Sequence, residues 1–187
     1  MPGEWGHLTS MKRIAIVGCS GAGKSTFARR LHGFLKVPLI HLDQLFWKEG
    51  WVMVDREEFL KSTHEVYQQP EWIIDGNYLS SASERFKHCD TIIHLDYPTH
   101  VCLYRTIKRT LSGYGRTRLD MTEGCPERFD WEFFNYVLTY RRKMRPRLME
   151  AIRENKADSC RIVTLQAAVQ AEAFLSDVAS EQAGAYV

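Results

Sequence analysis

The chain has 187 residues and a mass of 21.7 kDa, which suits one domain with enough length to bury a sizeable core. Its composition, 44% hydrophobic and 26% charged, is that of a globular protein and excludes a disordered chain. The formal net charge of +2 excludes a strongly basic or acidic protein, and no apolar run reaches the roughly 18 residues of a membrane helix.

The start of the chain and the cysteines indicate where the protein resides. The first ten residues, MPGEWGHLTS, contain no apolar signal core, so we expect a short, loose leader instead of a secretion signal. The five cysteines are an odd number without close pairs, which argues against a disulfide framework. Free thiols suit a reducing compartment, and we therefore expect a cytoplasmic protein.

Short apolar segments alternate with longer amphipathic segments along the chain. In order, the first half predicts a strand, a helix, a strand and a helix, at residues 12–18, 24–36, 37–43 and 55–69. The last of these begins with a capping-box signature, in which Asp55 occupies the cap and Glu58 follows three residues later.

The second half continues the same alternation. It predicts strands at 71–75, 91–96 and 161–165, helices at 99–111, 131–154 and 168–179, and an irregular stretch at 113–130. Alternating strands and helices predict a single α/β domain over residues 1–187, with a five-stranded parallel sheet covered on both faces. Ligands bind such sheets beyond the carboxyl ends of the strands, so we expect one active site there.

The loop after the first strand reads GCSGAGKST and matches the phosphate-binding pattern G-x-x-x-x-G-K-[ST] without a mismatch. Glycines let the backbone N–H groups curl around phosphate oxygens, and the following helix adds its positive end. Lys24 is expected to reach the β and γ phosphates of ATP, and the Ser25 hydroxyl is expected to bind Mg²⁺. The expected nucleotide-binding residues are Gly18, Ser20, Gly21, Ala22, Gly23, Lys24, Ser25 and Thr26.

A phosphate loop needs a carboxylate for its metal ion, usually at the end of a neighbouring buried strand. The segment WIIDGN offers Asp75, which follows apolar residues and precedes a glycine. We predict that Asp75 is the Mg²⁺ partner through water, and the alternative is a strand-end aspartate that caps a turn. Asp96 competes for this role, but the Tyr-Pro sequence after it favours a structural aspartate at a helix start.

The phosphate loop and the segments WIIDGNY and IIHLDYPTHVCLYRTIKR resemble adenylate kinase motifs, in the nucleoside monophosphate kinase branch of P-loop proteins. The segments HLDQLFWKEGW and GCPERFDWEFFNYVLTYRRKMRPR are similar to bacterial adenylate kinase-related topology modulation proteins. The closer likeness covers about residues 12–165. It implies a three-layer P-loop NTPase fold with a small lid at about 113–130, and the family's label implies a regulatory role.

The sequence departs from adenylate kinases on the acceptor side. Residues 43–54, DQLFWKEGWVMV, contain no arginine for a nucleoside monophosphate, although Arg56 follows closely. Some adenylate kinases carry four zinc-binding cysteines in the lid, whereas this chain has Cys125 alone, so no zinc site is expected.

Several arginines are candidates for phosphate contacts. Residues 101–150 hold 11 lysines and arginines against 6 aspartates and glutamates. The resemblance implies that Arg105 and Arg109, four residues apart on one helix face, stack on the ATP base and touch phosphate, and the alternative is a solvated helix face. In the expected lid, Arg116, Arg118 and Arg128 would bring positive charge to the transferring phosphoryl group.

Three more arginines follow in the long helix, and spacing allows at most two of them to point inward. Arg142 and Arg145 make the preferred pair, and Arg141 with Arg145 is nearly as good. We therefore predict that Arg142 joins Lys24, Arg116 and Arg118 as a catalytic residue. For any single lid or helix arginine, a solvated role remains an open alternative.

Asp43 is predicted to end the second strand, on the side where P-loop kinases hold the acceptor. It could orient an acceptor hydroxyl and take its proton, as in shikimate- and gluconate-type kinases, or it could cap a turn. The aromatic residues Phe46, Trp47 and Trp51 could wall the acceptor pocket or pack in the core.

Other residues at this end of the sheet receive more modest roles. Asn77 and Tyr78 could hydrogen-bond the acceptor, because they follow Asp75 on the same rim. His41 and His94 lie inside predicted strands, and we expect both to be core histidines and not catalysts.

The sequence therefore predicts an ATP- and Mg²⁺-dependent phosphotransferase that acts on a nucleotide or a small hydroxylated acceptor. The alternatives are a nucleotide-binding regulatory protein that affects DNA topology, and a plain ATPase. Direct nucleic-acid binding is not expected, since no helix-turn-helix, zinc finger or basic tail is recognisable. The basic segment contains the expected lid, so phosphate in the active site already accounts for it. No membrane partner is expected, and the oligomeric state is left open.

Overall fold

The structure is a computed structural model that describes residues 5, 8 and 10–184. In chain order its elements are β1 (Arg13–Gly18), α1 (Lys24–Leu35), β2 (Leu39–His41), α2 (Leu42–Phe46), β3 (Trp47–Lys48), β4 (Val52–Met53), α3 (Arg56–Tyr67), β5 (Trp72–Asp75), α4 (Ala82–His88), β6 (Thr91–Leu95), α5 (Thr99–Gly113), α6 (Trp131–Asn155), β7 (Arg161–Leu165) and α7 (Ala168–Gly184). In this described part, no helix is long and apolar enough to cross a membrane.

Five strands form one parallel sheet in the order β2-β5-β1-β6-β7. Successive side chains of the central strand β1 enter two different cores, since Ile14 and Ile16 belong to one and Ala15 and Val17 to the other. The first core contains residues of α1 and α7, and the second contains residues of α3 and α4. The α/β fold with a five-stranded parallel sheet between helical layers is thus confirmed.

The second predicted strand is shorter than the sequence pattern indicated. It pairs with β5 only from Leu39 to His41, because β5 itself ends at Asp75, opposite His41. The chain then turns into the short helix α2, so Asp43 lies in a helical first turn and not at a strand end. Beyond His41 the edge strand has no partner strand to accept its backbone hydrogen bonds, and the strand therefore ends there.

A small hairpin follows α2 and was missed by the sequence analysis. Its strands β3 and β4 are only two residues long and pair antiparallel across Gly50, which adopts a φ of 74°. Two-residue strands are too short to show a periodic pattern. Asp55 caps α3 by accepting the N–H of Glu57, and Glu58 pairs with Lys48 of the hairpin at 2.9 Å and does not complete a capping box.

Two residues of the expected leader are held against the last helix. The Leu8 side chain is buried and its N–H donates to the Glu181 carboxylate at 2.8 Å, while the Trp5 ring packs edge-on against Phe174. The expectation of a loose leader is therefore wrong at these two positions, because apolar side chains there complete the core. Residues 1–4, 6, 7 and 9 lie outside the described residues.

Candidate active site

A cavity of about 1200 Å³ opens at the carboxyl ends of the central strands. The loop after β1, the residues after β5, the α2–β3 region and the segment between α5 and α6 all contribute to its lining. We call this last segment, residues 114–130, the lid segment. A pocket for one small ligand typically measures about 300–1000 Å³, so this cavity has room for two.

The phosphate loop has the backbone that its glycines allow. Gly21 adopts a φ of +80°, and a Cβ there would lie 2.2 Å from the Cys102 carbonyl oxygen, so only glycine fits between the loop and α5. Helix α1 begins at Lys24, and the Lys24 Nζ donates to the Cys19 carbonyl at 3.1 Å across the loop. The eighth expected residue of the phosphate loop, Gly18, ends β1. The other seven line the cavity: Ser20, Gly21, Ala22, Gly23, Lys24, Ser25 and Thr26.

The structure brings Ser25 and Asp75 together beside the phosphate loop. The Ser25 hydroxyl donates to Asp75 Oδ2 at 2.6 Å, and His41 Nδ1 lies 2.5 Å from Asp75 Oδ1. Asp75 is only 4% exposed. In the described part of the chain, no group of three or more His, Cys, Asp or Glu side chains could hold a metal ion. A hydroxyl and one carboxylate suit Mg²⁺, which keeps several waters and takes its other oxygens from substrate phosphates.

His41 is more than a core histidine, because it contacts the candidate metal carboxylate. Burial by itself lowers the pKa of His41, but the hydrogen bond to Asp75 and the Asp75 charge outweigh it and raise that pKa above its ordinary value. The pairing of β2 with β5 sets His41 beside Asp75, so a correct prediction of that register would have found this contact.

Asp43 faces the same cavity and is held by a tyrosine. The Tyr78 hydroxyl donates to Asp43 Oδ1 at 2.5 Å. Burial raises the pKa of Asp43, although the hydrogen bond from Tyr78 opposes that rise. Tyr78 has a φ of 24°, a conformation that non-glycine residues adopt only where the surrounding structure enforces it. Sequence analysis named Tyr78 as a rim residue but missed its contact with Asp43.

Asn77 connects the strand ends below the cavity. Its side-chain amide donates to the Gly18 carbonyl at 2.9 Å, and its side-chain oxygen accepts the Gly18 N–H at 3.0 Å. The buried Arg85 of α4 in turn donates to the Asn77 carbonyl at 2.6 Å. Asn77 therefore ties β5 to the phosphate loop, which is a structural contact that the sequence analysis did not predict.

The three aromatic residues near Asp43 divide between wall and core. Trp47 and Trp51 line the cavity, with ring centroids 5.4 Å apart. Phe46 is not among the lining residues, and its ring packs against Phe59 and Tyr78 with centroids 5.2 and 4.7 Å away. Of these three residues, the two tryptophans line the cavity and Phe46 does not.

The two α5 arginines line the cavity but differ in their partners. The Arg105 guanidinium lies over the Tyr97 ring at 5.1 Å and donates to the Ala22 carbonyl at 3.5 Å, beside the phosphate loop. Arg109 forms an ion pair with Glu127 of the lid segment, with Nε 3.1 Å from the carboxylate.

The lid segment contributes two buried carboxylates that the sequence analysis missed. Arg118 contacts Asp120 at 2.7 Å and Glu127 at 2.6 Å, and both carboxylates are 6% exposed. Arg29 of α1 approaches Asp120 at 3.6 Å. No local pattern around either carboxylate indicates these partners, which lie far away in sequence. Arg118 therefore lines the cavity with its charge already compensated.

The other two lid arginines are exposed. Arg116 is not among the residues that line the cavity, so the structure gives no support to its predicted catalytic role. Arg116 follows the turn at Gly115, and the residues of this stretch that line the cavity begin at Thr117. Arg128 lies over the Trp51 ring at 5.3 Å and pairs with Asp130 at 3.7 Å.

Hydrogen bonds join the lid segment to the β3–β4 hairpin. Trp51 Nε1 donates to the Pro126 carbonyl at 3.1 Å, the Thr122 hydroxyl donates to the Trp47 carbonyl at 2.6 Å, and the Gly50 N–H donates to the Gly124 carbonyl at 2.9 Å. The lid segment is thus held against the hairpin that carries both cavity tryptophans.

The arginine pair of α6 is not the pair that we predicted. Arg145 binds both oxygens of the buried Asp96, at 2.9 and 2.8 Å, and Arg141 approaches the same carboxylate at 3.6 Å. These contacts hold the pKa of Asp96 below its ordinary value, although burial opposes them. Arg142 is exposed and does not line the cavity, so the structure gives no support to its predicted catalytic role. Residues four apart share a helix face, and Arg142 lies about 100° away from Arg141.

No protein-family model matches the chain, and no curated protein matches it in sequence. Among solved structures it is similar to shikimate kinase from Acinetobacter baumannii in complex with shikimate, with 21% identity, 92% of this chain and 96% of that chain covered, and a TM-score of 0.53. It is also similar to shikimate kinase from Bacteroides thetaiotaomicron, with 21% identity, coverage of 95% and 100%, and a TM-score of 0.55.

The chain has the fold of shikimate kinase-like P-loop kinases. The likeness spans nearly the whole of each chain. At this identity the comparison establishes the fold alone, and the chemistry is argued below from the residues of this chain.

The contact between Arg145 and Asp96 can be tested directly. Replacing Arg145 with leucine is expected to destabilise the protein by about 1–3 kcal/mol, because the buried Asp96 loses its two-point partner. Replacing the neighbouring exposed Arg142 with leucine is expected to change stability by less than about 0.5 kcal/mol. Urea unfolding of both variants measures the difference, and equal effects would contradict the assignment.

The contact between His41 and Asp75 predicts how stability depends on pH. Since the folded pKa of His41 is raised, its contribution to stability is fully present below the unfolded pKa of about 6.5 and is lost as the pH rises through the folded value. The wild type is therefore expected to exceed His41→Gln in stability most at about pH 5.5 and least at about pH 8.5.

Urea unfolding without Mg²⁺ at both pH values measures this difference. His100→Gln, which removes an imidazole from an exposed position, is the matched control. A wild-type advantage that stays constant with pH would contradict the assigned contact.

Proposed function

We propose that the protein is an ATP- and Mg²⁺-dependent phosphotransferase that moves the γ-phosphoryl group of ATP to a nucleotide or a small hydroxylated acceptor. The observation that carries the proposal is one cavity shared by the phosphate loop with Lys24, the adjoining Ser25–Asp75 pair, and Asp43 beside two tryptophans. Donor groups and a candidate base thus face the same space.

In the proposed reaction with a hydroxyl acceptor, the acceptor oxygen bonds to the γ-phosphorus while the bond from that phosphorus to the bridging oxygen of ADP breaks. The hydroxyl proton passes to the oxygen of Asp43 that Tyr78 does not bind. Lys24 offsets the negative charge that develops on the phosphoryl oxygens. Mg²⁺, held by Ser25 and through water by Asp75, would neutralise charge on the β and γ phosphates.

The remaining cavity arginines have positions that suit the donor nucleotide. Arg105 is proposed to stack on the adenine, since its planar cation already lies over one aromatic ring beside the phosphate loop. Arg109 is proposed to face the phosphates from the lid side. The lid segment, predicted at 113–130, is proposed to open for substrates and to exclude water when closed.

The proposed function is tested by ADP formation from ATP and Mg²⁺ with a panel of nucleoside monophosphates, nucleosides, polyols and shikimate, with Lys24→Ala as the control. An acceptor-dependent rate that the variant lacks is the expected result. ADP formation independent of any acceptor would identify an ATPase.

A protein that binds ATP tightly without turnover would favour the regulatory alternative, which the likeness to topology modulation proteins suggests. DNA binding that survives Lys24→Ala and weakens steeply with salt would support that alternative directly.

A further inference from the structure

The part of the cavity next to Asp43, Trp47 and Trp51 is called the acceptor end here. It lies within hydrogen-bonding reach of the candidate base, and both tryptophans line it. Resting on the proposed function, we propose that the acceptor is an uncharged alcohol carried on a ring or planar body, such as a nucleoside, and not a phosphate- or carboxylate-bearing compound.

The first argument is that the arginines near the acceptor end are paired already. Arg118 contacts Asp120 and Glu127, Arg29 approaches Asp120, and Arg128 pairs with Asp130. Asp120 and Glu127 are buried, so an anionic ligand that took Arg118 would leave a carboxylate in the interior with fewer partners. Such a loss opposes the binding of an anion, whereas an uncharged ligand leaves the ion pairs intact.

Among the other cations that line the cavity, Arg30 and Arg109 are already paired with Glu172 and Glu127. Lys24 and Arg105 contact carbonyls of the phosphate loop, which places them at the donor side. Arg147 is exposed and sits about three helical turns along α6 from Tyr136, which contacts Asn77. In the described part of the chain, Asp43 has no ion pair, so its carboxylate adds negative charge to the acceptor end.

The second argument concerns the tryptophans. Trp51 Nε1 donates to the Pro126 carbonyl, so the polar group of that indole is already occupied by protein. What the tryptophans offer a ligand is their ring surface, which suits a base or a sugar-like ring. Asp43 lines the same cavity, and its carboxylate can accept a hydrogen bond from a hydroxyl of the ligand.

The test measures binding to the protein saturated with Mg²⁺ and a non-hydrolysable ATP analogue, by calorimetry and by tryptophan fluorescence. Nucleosides are compared with their 5′-monophosphates, and a cyclic polyol is compared with shikimate. The uncharged member of at least one pair is expected to bind at least about tenfold more tightly. Tighter binding of the charged members would overturn the proposal.

A charge variant sharpens the test. Asp120→Asn leaves Arg29 without its carboxylate and Arg118 with only Glu127, so it is expected to narrow or reverse the preference for uncharged ligands. Glu123→Gln removes an exposed lid carboxylate and is expected to leave the preference unchanged. An unaltered preference in Asp120→Asn would overturn the charge argument.

The two proposals fail in different ways. If the ATP analogue binds and no uncharged ligand does, the substrate class is wrong and the donor side stands. If the analogue itself does not bind, the proposed function fails. The wild-type comparison needs no variant, so a folding defect in Asp120→Asn does not remove the test.

Discussion

Replacing Lys24 with alanine is expected to lower the acceptor-dependent rate by a factor of at least about 10²–10³. The side chain crosses the phosphate loop to the Cys19 carbonyl, and its ammonium group is the loop's own side-chain cation toward the transferring phosphoryl group. Without it, charge that develops in the transition state has no direct counterpart from the loop. Steady-state ADP formation and calorimetric ATP binding measure the two effects separately.

The control for this change is Lys61→Ala, which removes the same side chain from an exposed position on α3. Its rate is expected to match that of the wild type. A Lys24→Ala protein that is folded and retains most of its phosphoryl transfer would refute the proposed role of the loop.

The second large effect is expected from Asp43→Asn, which keeps the shape of the side chain but cannot accept a proton. The turnover number is expected to fall by about 10²–10⁴, with ATP binding retained. Since burial raises the pKa of Asp43, wild-type turnover should fall on the acid side at a higher pH than for an ordinary aspartate. Asp43→Asn should lack this acid limb.

Tyr78→Phe tests the role of Asp43 in a second way, because it removes the hydroxyl that donates to Asp43. The hydrogen bond from Tyr78 lowers the pKa of Asp43, so its removal is expected to move the acid limb to higher pH without removing it. A pH profile identical to that of the wild type would show that Asp43 is not the group that titrates. Acceptor-dependent turnover measured across the acid and neutral range gives all three profiles.

The order of strands and helices was predictable because its sequence signals are local. Apolar strands alternate with amphipathic helices, and the strand at residues 161–165 lies where the pattern indicated. The hairpin at Trp47–Met53 escaped because its paired strands are two residues long, and its position depends on hydrogen bonds to the lid segment.

For the arginines, the sequence pattern predicted the candidates but not their ion-pair partners. Sequence spacing allowed at most two of Arg141, Arg142 and Arg145 to point inward, but only the packing of α6 determined that Arg141 and Arg145 reach Asp96. In the same way, Arg118 was predicted to bring positive charge to the transferring phosphoryl group. The folded chain pairs Arg109 and Arg118 with Glu127.

By itself, the sequence determined the phosphate loop and its place after the first strand, because nine consecutive residues carry both the glycine turn and the lysine. Tertiary structure alone decided the partners of each charge, since contacts such as Ser25–Asp75, Arg29–Asp120 and Tyr78–Asp43 join residues distant in the chain. The energy of a charged group depends on its burial and on its neighbours, and neither is fixed until the elements pack.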